Sequence, residues 1–206
     1  GQCQRSAQRA ARHLQRSEAL PAGGALASLQ TLGLEGNQIG DAGVSSLANA
    51  IKPRASLGYR VRSVDIPATG SKRWAQYQTE HVKMSAIPVH HGDVPALAWR
   101  IEIADQIVVI AGAFNNSKNV VATFAKDADA LVVSHAIAEN SRGALRGLYS
   151  RRSQLGRVAA QADARMMILG HRNSRTRGRE SISRSAMEEH YEGAILFAND
   201  GECWGL

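Results

Sequence analysis

An α/β fold is predicted for this chain from three observations. Short apolar runs alternate with helix-forming stretches along most of the sequence, the order that builds a sheet flanked by helices. The runs A-D-A-L-V-V-S and R-M-M-I-L-G carry no polar alternation, as strands buried on both faces do. Y-R-V-R-S-V-D-I, by contrast, alternates apolar and polar residues and reads as a half-buried strand. At 206 residues, 44% hydrophobic and 21% charged, the chain has an ordinary globular composition and enough length for a core. One domain over residues 1–206 is the expected count.

The elements follow in order. Residues 4–16 are rich in helix formers, with the arginines on a solvated face, and P-A-G-G at 21–24 ends that helix. L-Q-T-L-G-L-E predicts a short buried strand, and D-A-G-V-S-S-L-A-N-A-I an amphipathic helix with Asp41 near its N-terminus. K-P-R-A-S at 52–56 is a loop, and Y-R-V-R-S-V-D-I the strand after it. Further strands are predicted at 82–89, 96–103 and 106–111, some of them paired as antiparallel hairpins. S-K-N-V-V-A-T-F-A-K predicts a helix, A-D-A-L-V-V-S a strand, and G-R-V-A-A-Q-A-D-A a helix feeding the strand R-M-M-I-L-G, which runs straight into His171. A basic loop, a helix at 181–191 and the strand A-I-L-F-A-N-D complete the order.

Charge and cysteine content bound the function classes. A net charge of +7 suits an anionic small molecule or ester as partner. Nucleic acid is disfavoured, because the arginine-rich loop H-R-N-S-R-T-R-G-R has no interleaved aromatics on which bases could stack. With Arg142, Arg146, Arg151, Arg152 and Arg157 upstream, that loop is either a solvated surface or the lining of a cleft for a phosphate or sulfate group. Cys3 and Cys203 stand at opposite ends without metal-ligand spacing, and free thiols are expected. No apolar run approaches the ~18 residues of a membrane span. The opening G-Q-C-Q-R-S-A-Q-R shows no secretory signal, so the default expectation is a cytoplasmic protein.

P-V-H-H-G-D-V-P-A-L-A-W-R resembles a motif of the metallo-β-lactamase superfamily, in its arylsulfatase-like and ribonuclease Z-like branch, where a strand ends in a zinc-binding histidine. The likeness continues through I-V-V-I-A-G-A-F, through F-A-K-D-A-D-A-L-V-V-S-H, through L-G-R-V-A-A-Q-A-D-A-R-M-M-I-L-G-H-R and through Y-E-G-A-I-L-F-A-N-D. It is clearest over residues 57–206 and divergent over 1–56. It implies a metallo-β-lactamase-like αββα sandwich, incomplete at the N-terminus, where the layer that opens the fold is missing or trimmed. Residues 26–51 also resemble one leucine-rich repeat, with Leu26, Leu29, Leu32, Leu34, Asn37 and Ile39 in phase. A single repeat cannot bury its own face, so a drifted metallo-β-lactamase element is the favoured reading of this stretch.

The family's reaction uses two zinc ions that bring a bridging water's pKa to about 7, each ion needing about three protein ligands and an open position. Carried over by the resemblance, the first ion would have Gly33, Glu35 and His91, and the second Asn37, Gln38 and His171. The bridging aspartate position is Ala113. Gly and Ala offer no ligand atom, and Asn and Gln only neutral carbonyl oxygens that suit zinc poorly. Glu35, His91 and His171 alone keep good donor chemistry, so zinc binding is expected to be weak. His135 is expected at the surface or backing the site, and His90 on the opposite face from His91. Tyr149 stands at or near a further family histidine, which it cannot replace as a proton shuttle near neutral pH. The expectation is a hydrolase homologue of sulfate- or phosphate-ester ancestry that has lost most zinc ligands. The rival readings are a residual mono-metal ester hydrolase on Glu35, His91 and His171, and a basic module binding an anionic partner.

Overall fold

The computed structural model describes residues 75–206. The strands and helices expected at 4–16, 29–35, 41–51 and 59–66, and with them Glu35, lie outside the described residues. Residues 75–200 fall within one compact unit, and 201–206 outside it.

Among the described residues, seven strands form one sheet in sequence order: β1 (Ala75–Gln78), β2 (Val82–His91), β3 (Val94–Ile103), β4 (Gln106–Gly112), β5 (Ala130–Ser134), β6 (Met166–Gly170) and β7 (Ala194–Phe197). β1 to β4 are an antiparallel meander, and β4 to β7 run parallel. The change has a local cause. The meander turns are two residues long: His91 pairs with Val94 around Gly92 and Asp93, and Ile103 with Gln106 around Ala104 and Asp105. Gly92 sits at φ 62, a backbone that suits a residue without Cβ. Parallel neighbours need a crossover, and each of the later connections carries a helix. These are α1 (Val120–Phe124), α2 (Ala144–Leu148), α3 (Arg152–Gln161) and α4 (Glu180–Glu188).

The central strands are apolar at nearly every position, Gln106 and Ser134 at strand ends aside, so both faces of the sheet carry hydrophobic side chains. One face presents Ile87, Val89, Ala98, Val109, Leu131, Val133, Met167 and Leu169 to Val121 and Phe124 of α1, Leu155 and Val158 of α3 and Met187 of α4, all in one core. The other carries Ala130, Met166 and Ile168 as a smaller buried cluster, with Val108, Val132 and Leu196 packed against it. A mixed sheet with helices on one face is the metallo-β-lactamase-like α/β architecture.

Three expectations are corrected, and two elements are added. The helix over 117–126 shortens to Val120–Phe124, because Asn116 and Asn119 adopt left-handed φ of 58 and 48 and block its first turn. A short strand, β1, and the helix α2 were not predicted from their polar or mixed sequences. His135 is not a surface residue: only 1% of it is exposed. Cys203 is disulfide-bonded rather than a free thiol.

Candidate functional site

The topology brings the chemistry-bearing residues to one end of the sheet. β2 is antiparallel to β3 and β3 to β4, so β2 runs the same way as β4, β5, β6 and β7. The C-terminal ends of these five strands therefore share an edge, where open α/β sheets place their ligands. His91 ends β2, Ala113 follows β4, His135 follows β5, His171 follows β6, and Asn199 lies just beyond β7.

His91 is half-buried, and its Nδ1 donates to the Leu148 carbonyl at 2.5 Å. A carbonyl oxygen can only accept, so Nδ1 carries a proton, and in the neutral ring the lone pair is on Nε2. The loop that supplies this carbonyl is pinned along its length. Asn115 Nδ2 donates to the Gly147 carbonyl at 2.5 Å, Ser150 Oγ to the Phe114 carbonyl at 2.7 Å, and the Arg151 amide to Gln154 Oε1 at 3.1 Å. Between these anchors stands Tyr149, whose ring packs against both candidate histidines. Its centroid lies 5.1 Å from that of His91 in an edge-on arrangement and 6.0 Å from that of His171 in a stacked one. The sequence had set the two histidines in one site, and the structure gathers both around one phenol ring.

His171 is exposed and adopts φ 51, left-handed for a residue with a Cβ. The chain leaves β6 abruptly there, and the following loop is tied down by Asn173 Nδ2 donating to the Ala136 carbonyl and Thr176 Oγ1 to the His135 carbonyl. Arg172 donates to Glu180, Asn199 and the Ala198 carbonyl. These contacts border an open cleft of about 540 Å³ lined by His171, Arg172, Arg177, Glu180, Asn199 and Asp200. Its two arginines face two carboxylates, so the cleft is not the strongly cationic surface that the basic loop suggested.

His90 points the other way, as strand alternation requires. Its Nδ1 accepts from Asn115 Nδ2 at 2.8 Å and from Ser117 Oγ at 3.0 Å, which fastens the loop after β4 to the end of β2. At the end of β4 itself, Gly112 takes φ 60 and Ala113 follows with a methyl group.

Sequence reasoning missed the buried polar cluster behind this edge. Among the described residues, His135 has no hydrogen-bond partner on either ring nitrogen, and Arg152, only 4% exposed, has none on Nε or Nη2. Burial, reinforced by the positive charges of Arg152 and Arg172, holds the His135 pKa down at about 4. Glu139 is near Arg152 but is engaged elsewhere, accepting from the Ser153 amide at 2.9 Å and from Ser153 Oγ at 2.7 Å. Burial pushes its carboxyl up, and these bonds, with Arg151 and Arg152, bring it below the usual range. No sequence signal marks Arg152 as buried: it is one of five scattered upstream arginines.

The residues present can be tested against the zinc pair that the resemblance implies. Among the described residues, no three His, Cys, Asp or Glu side chains gather as a metal-binding group. His91 and His171 supply one imidazole each, Ala113 supplies nothing, and Glu35 lies outside the described residues. The described part of the site does not fit a pair of zinc ions.

Among solved structures, the fold is similar to that of the metallo-β-lactamase fold protein YhfI from Bacillus subtilis, with 18% identity, a TM-score of 0.56, and 75% of this chain and 61% of that chain covered. It is similar to a diphosphatase from the PhnP family, at 13% identity and TM-score 0.51, over 79% of this chain and 54% of that one. It is also similar to zinc-bound PqqB from Methylobacterium extorquens, at 10% identity and TM-score 0.51, over 78% and 62%. The chain thus spans less than two thirds of each of these proteins. No protein-family model matches, and no curated protein matches. At such identities the likeness establishes the fold, which is that of the metallo-β-lactamases.

Proposed function

We propose that this chain, with its metallo-β-lactamase fold, is a hydrolase homologue of sulfate- or phosphate-ester ancestry that no longer runs efficient two-zinc hydrolysis. The observation that carries the reading is Ala113. It stands at the C-terminal end of β4, on the same sheet edge as His91 and His171, and offers a methyl where a bridging acid is needed. Two zinc ions held close together need an anionic bridge and about three protein ligands apiece to generate hydroxide at neutral pH. Two imidazoles without that acid hold at most one ion, and weakly.

Metal analysis of protein purified without added zinc tests this directly. Less than one zinc per chain is expected, and two per chain would overturn the reading. A zinc titration of the wild type beside His91→Ala and His171→Ala separates the main reading from a residual mono-metal hydrolase. That rival is favoured by one feature, the free Nε2 of His91, whose Nδ1 is already committed to a backbone carbonyl in the manner of metal-ligating histidines. It requires tight binding of one ion that both substitutions abolish, with ester hydrolysis falling in parallel.

The basic-module reading rests on the exposed Arg142, Arg146, Arg157, Arg175 and Arg177. It predicts affinity for a sulfate or phosphate ester that falls steeply with salt. The two carboxylates in the cleft weigh against it.

A further inference from the structure

We propose that the buried guanidinium of Arg152 is a binding site for a small oxyanion of the phosphate, sulfate or carboxylate kind. The site is separate from the exposed arginines of the basic-module reading, and it needs no metal.

Arg152 opens α3, yet it is only 4% exposed. A guanidinium keeps its proton throughout the pH range in which proteins are folded, so this is a permanent charge taken out of water. Such a charge is strongly destabilising unless it is paired and hydrogen-bonded. Its Nε and Nη2 nevertheless have no acceptor. Those two atoms form one edge of the guanidinium, and their N–H bonds point the same way. That edge matches two oxygens of a single carboxylate, phosphate or sulfate group.

The charged groups that act on Arg152 and His135 leave the fork unfilled. Glu139 attracts Arg152, but one of its oxygens accepts from Ser153 Oγ and the other from the Ser153 amide. Glu180 acts on His135, and its Oε1 accepts from Arg172 Nη1 and from the Gly178 amide. The remaining neighbours are donors. Arg179 acts on Arg152 as a like charge, and Arg151, which with Arg152 acts on Glu139, has a buried Nε without a partner. His135, 1% exposed and neutral at pH 7, has a ring N–H that meets no acceptor. Among the described residues, five of the seven buried polar side-chain atoms without a partner are nitrogens of Arg151, Arg152 and His135. This region is short of acceptors and of negative charge together. Water supplies an acceptor without the charge, and a halide the charge without two oxygens set to the fork. An oxyanion supplies both.

The experiment dialyses the protein into sodium chloride and titrates it with phosphate, sulfate and formate at constant ionic strength. It follows the Arg152 Nε–H signal by heteronuclear NMR and the heat of binding by calorimetry. At least one oxyanion is expected to move that signal saturably, where chloride does not. Arg152→Met, an apolar replacement of the kind buried charges tolerate, is expected to fold and to bind that oxyanion at least about tenfold more weakly, the scale of hydrogen bonds to charged groups. Arg152→Lys keeps the charge without the fork and is expected to bind more weakly than wild type. A signal that no oxyanion moves overturns the inference, as does one that chloride moves equally. Undiminished binding in Arg152→Met also overturns it, since surface arginines would then hold the ion, and so does Arg152→Lys binding as tightly as wild type. If Arg152→Met does not fold, the wild-type signal still decides, because it reports on the guanidinium itself. None of these outcomes depends on zinc content, so this inference and the functional reading fail separately.

Discussion

His135 shows at the scale of one residue how the site edge is tied to stability. Its imidazole lies beside the tilted ring of Phe197, centroids 5.8 Å apart, with neither nitrogen partnered. The folded protein accepts it neutral, with a pKa of about 4 against 6.5 for an ordinary histidine, because of burial first and of Arg152 and Arg172 second. The unfolded chain therefore binds the proton more tightly. Stability is full above the unfolded pKa and declines as pH falls through it towards the folded one, by about 2 kcal/mol between pH 7 and pH 5. Urea unfolding at the two pH values should show that decline in wild type, and His135→Leu should lack this component. Equal declines in both proteins would mean that His135 is not the group that titrates. Tyr149 and Ala113 belong to the same scale: one places a ring beside the histidines, the other a methyl group at the end of β4.

At the scale of elements, the crossing of α3 and α4 depends on a missing side chain. A Cβ on Gly156 would stand 2.6 Å from the Met187 carbonyl oxygen, inside any tolerable contact with backbone. Gly156→Ala should force the helices apart at a cost of about 1–3 kcal/mol, the usual range for overpacking, read from the shift of a chemical denaturation midpoint. An unchanged midpoint would show that the crossing has slack. The loop carrying Tyr149 depends instead on polar anchors. Ser150 is 2% exposed, so Ser150→Ala would leave the buried Phe114 carbonyl without its partner and cost about 1–2 kcal/mol. Amide exchange of residues 147–151 should quicken in that variant before any global change, and exchange at the wild-type rate there would remove the anchor from the account. The sequence placed the central strands and α4 nearly where they lie, because uninterrupted apolar runs and amphipathic stretches have few alternatives, but it began α3 at Gly156 where the helix begins at Arg152. It overran α1 because the left-handed Asn116 and Asn119 break a pattern that propensity alone continues.

For the whole molecule, the sheet's arrangement ranks its strands. Among the described residues, β4, β5 and β6 are paired on both sides, while β1 stands at the end of the strand order. Native-state amide exchange should be slowest in β5 and β6 and fastest in β1, since edge backbone opens without breaking the core. Slow exchange in β1 would mean that its outer edge is covered. The sequence by itself determined the α/β class, the parallel half of the sheet, the two histidines at strand ends and the lack of a donor at Ala113. Each of these follows from local composition: what a run of residues can bury, and which side chains carry ligand atoms. Tertiary structure alone decided what surrounds those histidines. That His91 is locked to Leu148, that Tyr149 packs on both rings, and that His135 and Arg152 are buried all depend on loops brought together from strand ends far apart in the chain. Such contacts leave no period or motif in the sequence, because they are set by the order of the strands and not by the residues next to them.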